Sequence, residues 1–231
     1  MHGRAAAAAG RGVIGVALLV VAGSSALAGC DAAGSAGAAE AEERAARGAS
    51  QGDIGFRGVV LPEPITKVDF TLTDTDGRPF TFREQTDGYL TFLFFGYTNC
   101  PDICPVHMSN LGAVLRRYPH DVRSRVRVVF VTTDPERDSP AAIRRWLDAF
   151  DPSFIGLTGT AEEIDGVQLA FGVAPARREG DPEGDGEYGV GHAAQVIAFT
   201  PDNLGRVVYP FGTRQADWLR DIPKLLSHQV W

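Results

Sequence analysis

Cys100 and Cys104 stand four positions apart in TFLFFGYTNCPDICPVHMSNL (91–111), each with a proline directly behind it, and they are two of only three cysteines among 231 residues. Pro105 disfavours helical dihedrals for Cys104 and suits the first turn of a following helix. The pair is therefore expected on a loop capping that helix, exposed, with helix amides and dipole favouring a thiolate. Such a pair has three uses. It can close as a structural disulfide in an exported protein, although so short a loop constrains little of the unfolded chain. It can exchange disulfides, or it can hold a soft ion such as cuprous copper, which prefers sulfur and imidazole. On the pair alone exchange comes first, but the three-residue spacer departs from the redox C-x-x-C spacing.

A histidine would favour the metal. His192 lies in GEYGVGHAAQVIAF, immediately before an apolar strand, where a loop residue can reach thiols at the end of a neighbouring strand. The competing use is a loop histidine bonded to backbone. His107, three residues after Cys104, falls in the first helical turn and is expected to cap or to face solvent. His120 follows Pro119 in a polar loop and His228 is near the terminus, so both read as surface; His2 lies in the apolar leader.

The elements that must position these groups follow from periodicity. KVDFTLTDTDGRPFTF alternates around the turn signal DTDG and reads as an N-terminal hairpin. YLTFLFFGY is nearly all apolar, a central strand covered on both faces. PVHMSNLGAVLRRY has helical spacing, RVRVVFVTTD is a second buried strand, and SPAAIRRWLDAF is a helix with Ser139 as N-cap and Pro140 behind it. FIGLTG is a short strand, TAEEIDGVQLAFG a helix begun by Thr160, AAQVIAFTPDNLGRVVYPF a second hairpin and RQADWLRDIPKLL a closing helix. This pattern is α/β, with parallel crossovers at the centre and antiparallel edges. Ligands in such sheets sit at the carboxyl ends of the strands, where Cys100 and Cys104 fall.

The N-terminus reads as an address. Arg4 and Arg11 precede the apolar run GVIGVALLVVAG, which is shorter than the ~20 residues a bilayer span needs. It leads into LAGC (27–30), which resembles a bacterial lipobox with Cys30 as the lipidated residue. The alternatives are an ordinary signal peptide or an N-terminal anchor. Residues 1–29 are then a lipoprotein signal peptide, 30–55 a lipidated cysteine with a flexible tether poor in large apolar residues, and 56–231 the folded domain. Removing 1–29 takes away two arginines and no acid, so the net charge moves from −7 to −9. That balance argues against nucleic acid, whose phosphates need a basic face. The acidic, Gly-rich REGDPEGDGE (178–187) reads as a solvated loop near the site.

Together these features resemble the Sco/SenC family, over most of Val68 to Leu226. FTLTDTDGRPFTF resembles its opening hairpin, FFGYTNCPDICPVHMSNL its C-P-x-x-C-P signature, FVTTDPERDSP its D-P-x-R-D-[ST]-P segment and EYGVGHAAQVIAFTPDNLG its Y-x-x-x-H segment. The resemblance implies a thioredoxin-like α/β fold, a central mixed sheet flanked by helices. It implies a copper site of Cys100, Cys104 and His192 taking Cu(I), with Cu(II) as the second state. It also implies delivery of copper to the CuA centre of cytochrome c oxidase subunit II, from the extracytoplasmic face of the cell membrane through the lipid anchor. A thiol–disulfide reductant or another copper chaperone is the implied second partner. The competing function is an extracytoplasmic thiol–disulfide reductase or redox sensor acting on the CuA-site cysteines. Against it stands His192 where thioredoxin-like oxidoreductases carry a proline. Asp134 ends a strand beside the cysteine loop and is expected to shape a turn rather than to bind metal. Two residues depart from the family: Gly191 replaces the usual Asp before the histidine, and Ala193 the usual Ser or Thr after it. The orientation of the imidazole is therefore open, because metal histidines hold their second nitrogen with an acceptor.

Overall fold

A computed structural model describes residues 55–180 and 188–227. In chain order the strands are β1 (Val59–Thr66), β2 (Thr71–Asp74), β3 (Pro79–Thr81), β4 (Leu90–Gly96), β5 (Val126–Thr132), β6 (Ile155–Thr158), β7 (Arg177–Glu179), β8 (Gly189–Gly191), β9 (Val196–Phe199) and β10 (Leu204–Tyr209). The helices are α1 (Phe82–Gln85), α2 (Ile103–Leu115), α3 (His120–Arg123), α4 (Pro140–Asp148), α5 (Ala161–Ala170) and α6 (Gln215–Leu226). The leader, Cys30, the tether, His2 and His228 lie outside the described residues. No helix among the described residues is long and apolar enough to cross a membrane.

β4 is the axis. All seven of its residues are buried, and its side chains divide alternately between two cores. Phe92 and Phe94 pack with Met108 and Leu111 of α2 and Trp218 of α6. Leu93 and Phe95 pack with Phe82 of α1, Ile164 of α5 and Phe171. Each fully buried Phe or Leu contributes roughly 1.5–3 kcal/mol, so a strand apolar on both faces is fixed in depth and register. β4 pairs in parallel with β5 and antiparallel with β9, and β5 pairs in parallel with β6. The full order is β1-β10-β9-β4-β5-β6-β2-β3, with antiparallel pairs at both edges. This is the expected mixed sheet flanked by helices.

Local signals act as read. Ser139 Oγ accepts from the Ala142 amide at the start of α4. Thr160 and Glu163 form a reciprocal capping box at the start of α5. Three features depart from the sequence reading. β1 carries Pro62 and Pro64, which remove ladder donors; it survives as an edge strand whose register breaks between Val60 and Ile65. β7 and β8 form a separate two-stranded ribbon that the sequence reading did not include; β7 takes in Arg178 and Glu179 of the expected solvated loop and is exposed, and residues 181–187 of that loop lie outside the described residues. Finally, α2 begins at Ile103, so Cys104 lies inside the helix and not on a capping loop.

Candidate metal centre

Cys100 and Cys104 lie just beyond the carboxyl end of β4, and a buried carboxylate braces the loop that carries them. Asp138 accepts from the Thr98 amide (2.9 Å), the Thr98 hydroxyl (2.5 Å) and the Thr132 hydroxyl (2.6 Å). The loop after β4 is thereby tied to the end of β5. Gly96 allows the approach of α2: a Cβ at that position would lie 2.6 Å from Cys104 Sγ.

The pair is not exposed. Cys100 retains 8% of its surface and Cys104 none, because Cys104 points inward from the first turn of α2. Both thiols are free. Cys100 Sγ accepts from the Cys104 amide at 3.5 Å, taking the place of the side-chain oxygen that the N-cap Asp102 does not supply. The hydrogen bond from the Cys104 thiol, outweighing burial, holds the Cys100 thiol well below its ordinary range. Burial pushes Cys104 up, and the bond to Cys100 adds to that. The expected lowering is therefore found for one cysteine of the pair, and its leading cause is the neighbouring thiol, with the Cys104 and Asp102 amides adding to it.

His192 follows β8 and completes the cluster. Its Nε2 lies 3.5 Å from Cys104 Sγ and 3.9 Å from Cys100 Sγ. The three donor atoms all lie within 4.8 Å of one another. His192 Nδ1 is 3.1 Å from the Ala193 carbonyl oxygen. A carbonyl only accepts, so Nδ1 carries the proton and the Nε2 lone pair faces the sulfurs. The acceptor in doubt at Gly191 and Ala193 is thus a backbone carbonyl. Gly191 itself packs against the Glu179 carboxylate, which fills the space where a Cβ would stand. The cluster offers two sulfurs and one imidazole, a donor set suited to a soft, low-coordinate ion.

The histidine arm hangs on side-chain contacts that the sequence did not reveal. Tyr97 Oη accepts from the Val190 amide at 3.3 Å. Tyr188 Oη donates to Asp134 Oδ1 at 2.8 Å, Arg137 pairs with Asp134, and Arg137 Nη1 donates to the Tyr188 carbonyl at 3.0 Å. The guanidinium stacks 3.6 Å over the Tyr188 ring. Asp134 is accordingly structural, as expected, but its partner is the histidine arm as well as the turn into α4. The DPERDSP and Y-x-x-x-H segments were both visible in the sequence; that Tyr188 of the second meets Asp134 and Arg137 of the first was not, because it joins residues 54 and 51 positions apart. His107 corrects the sequence reading outright. It is 1% exposed, and its Nε2 donates to the Ala194 carbonyl at 2.9 Å. The expectation of a solvent-facing residue failed because α2 turns this face towards Phe94 and Phe211. His120 is exposed, as read.

A family model described as SCO1/SenC matches residues 61–227. A putative copper-binding protein of Stutzerimonas stutzeri is 33% identical over 176 residues, which cover 74% of this chain and 82% of that one. Among solved structures, apo Sco1 of Thermus thermophilus superposes with a TM-score of 0.66 at 34% identity, covering 74% of this chain and 97% of that one. ScoI of Bradyrhizobium japonicum, solved with copper bound, gives a TM-score of 0.61 at 32% identity, covering 70% and 99%. Mitochondrial relatives are longer, and the chain spans about half their length. The match spans most of the chain and includes the cysteine pair, the DPERDSP segment and His192; the chain belongs to the SCO1/SenC family.

Proposed function

We propose that this protein is a copper metallochaperone, held at the extracytoplasmic face of the membrane by a lipid on Cys30, that delivers copper to the CuA centre of cytochrome c oxidase subunit II. The observation that carries the reading is the convergence of Cys100 Sγ, Cys104 Sγ and His192 Nε2 within 4.8 Å. It is supported by the copper seen in the Bradyrhizobium relative and by the copper-binding description of the Stutzerimonas one. Residues 30–55 serve as the tether and residues 56–231 as the copper-binding domain.

The three groups hold Cu(I) as two thiolates and one neutral imidazole. Uptake displaces the thiol protons, so binding strengthens as pH rises through the range in which the pair titrates. A disulfide between Cys100 and Cys104 would leave neither sulfur as a thiolate donor. Copper occupancy is in this way tied to the redox state of the pair: reloading an oxidised site needs a thiol–disulfide reductant to return two electrons and two protons, and then a copper source such as a second copper chaperone.

The test is a titration of the full-length protein, solubilised in detergent and reduced anaerobically, with cuprous ion against a competing chelator. One copper per chain is expected, bound only when both thiols are reduced, and lost in Cys100→Ser or Cys104→Ser. Insulin disulfide reduction by the same protein should be slow. Fast reductase turnover without stoichiometric copper would overturn the proposal in favour of an oxidoreductase acting on the CuA cysteines.

A further inference from the structure

We infer that His107 is a positioning residue for His192, acting through two adjacent backbone carbonyls; the inference rests on the copper reading above. Ala193 and Ala194 are consecutive, and each of their carbonyls is taken by an imidazole. The Ala193 oxygen accepts from His192 Nδ1 at 3.1 Å, and the Ala194 oxygen accepts from His107 Nε2 at 2.9 Å. The first bond selects the tautomer that turns the Nε2 lone pair of His192 to the thiols. The second fixes the chain that presents the first, since rotation at Ala194 swings the Ala193 carbonyl with it.

The arm is held symmetrically about the ligand. Two residues before His192, the Val190 amide donates to Tyr97 Oη; two residues after it, the Ala194 carbonyl meets His107. Tyr97 follows β4 and His107 lies on α2, so the brackets come from the two elements that flank the cysteines. His107 is itself immobilised. It is 1% exposed, with its ring 5.1 Å from Phe94 and 5.9 Å from Phe211, centroid to centroid. Phe94 also lies edge-on to His192 at 5.9 Å, so the two imidazoles share one aromatic wall. His107 is not a fourth ligand in this arrangement, because its Nε2 proton is committed to Ala194 and its ring nitrogens fall outside the donor cluster.

The experiment compares the wild type with His107→Leu and His107→Gln, each also in a His192→Ala background, as full-length reduced protein. Glutamine places an amide N–H where histidine Nε2 stands, whereas leucine fills the space without a donor. Nitrogen-15 spectra of the metal-free proteins read the His192 tautomer. Competition with a chelator reads the cuprous affinity, and X-ray absorption reads imidazole scattering at the bound ion. The leucine variant should lose the single Nδ1–H tautomer, bind cuprous ion roughly tenfold more weakly, the low end for outer-shell partners of a metal ligand, and show weaker imidazole scattering with both sulfurs retained. The glutamine variant should restore all three. In the His192→Ala background, leucine should cost nothing further. A folded leucine variant with the wild-type tautomer and affinity would overturn the inference, as would an equal loss in both backgrounds or a glutamine variant no better than leucine. If the wild type binds no copper, the proposed function fails, and the metal-free tautomer still decides the role of His107.

Discussion

Gly96→Ala tests whether the cysteine site depends on a single missing methyl group. The Gly96 backbone does not have a positive φ, so alanine meets no dihedral penalty and the effect is purely steric. The new Cβ would stand 2.6 Å from Cys104 Sγ, 2.8 Å from Phe94 Cε1 and 3.2 Å from Phe130 Cε2. Ordinary contact begins at 3.4 Å, so sulfur and strand together must yield about 0.8 Å. β4 yields little, because it is paired with β5 from Leu90 through Gly96 and with β9 from Thr91 through Phe94. The displacement therefore falls on Cys104 and the first turn of α2, and it exceeds the ~0.5 Å within which a binding constellation must be held. Overpacking a closed core costs roughly 1–3 kcal/mol. Denaturant unfolding of the metal-free protein should show that loss, and cuprous affinity should fall by at least tenfold (about 1.4 kcal/mol). Gly166→Ala, in α5 with nothing within 4 Å of its Cβ, is the control, and it should be neutral or stabilising by up to ~1 kcal/mol. Wild-type stability together with wild-type affinity in Gly96→Ala would refute the reasoning.

Two further outcomes are expected. Lys67 is fully buried, with Nζ on the Thr86 carbonyl and the Thr86 and Thr91 hydroxyls, and burial lowers its pKa from 10.5 to about 8. Between those values the unfolded chain binds the extra proton, so wild-type stability relative to Lys67→Met should rise with pH from about 8 to 10.5, by up to ~1.4 kcal/mol per unit; a difference that stays flat in urea unfolding across that window would refute it. Cys30→Ser should abolish labelling by radioactive palmitate and leave an uncleaved or a soluble form of the protein, and labelling that persists would remove the lipid anchor from the proposal.

Legibility followed the range over which each signal acts. β4, α4 and α5 were readable because an all-apolar run, a Ser-Pro start and a Thr-x-x-Glu box declare themselves within a few residues. β1 was hidden by Pro62 and Pro64, which argue against a strand unless it lies at an edge, and edge position is a tertiary fact. The cysteines and His192 could be picked out by residue type and placement at strand ends. Their burial could not, because it depends on how closely α2 approaches β4 over Gly96. His107 was misread for the same reason: a first-turn histidine faces solvent only if nothing packs on that side, and Phe211 comes from a loop more than a hundred residues away. Asp138 joins residues 40 positions apart, a distance at which spacing carries no information.

The two sides of the site differ in how firmly they are held. Cys100 and Cys104 rest on the central sheet through Asp138 and on a thirteen-residue helix packed into the core. His192 instead leaves a two-stranded ribbon whose first strand is exposed throughout, and a ribbon of that size has little stability of its own. It keeps its place through side-chain contacts from Tyr97, Asp134, Arg137 and His107. Opening the ribbon breaks a handful of these contacts and no sheet ladder of the core, so in free-energy terms it belongs to the low end of the local unfolding spectrum, far below global denaturation. In the proposed copper site the imidazole is therefore the donor expected to leave and return while both sulfurs stay where they are.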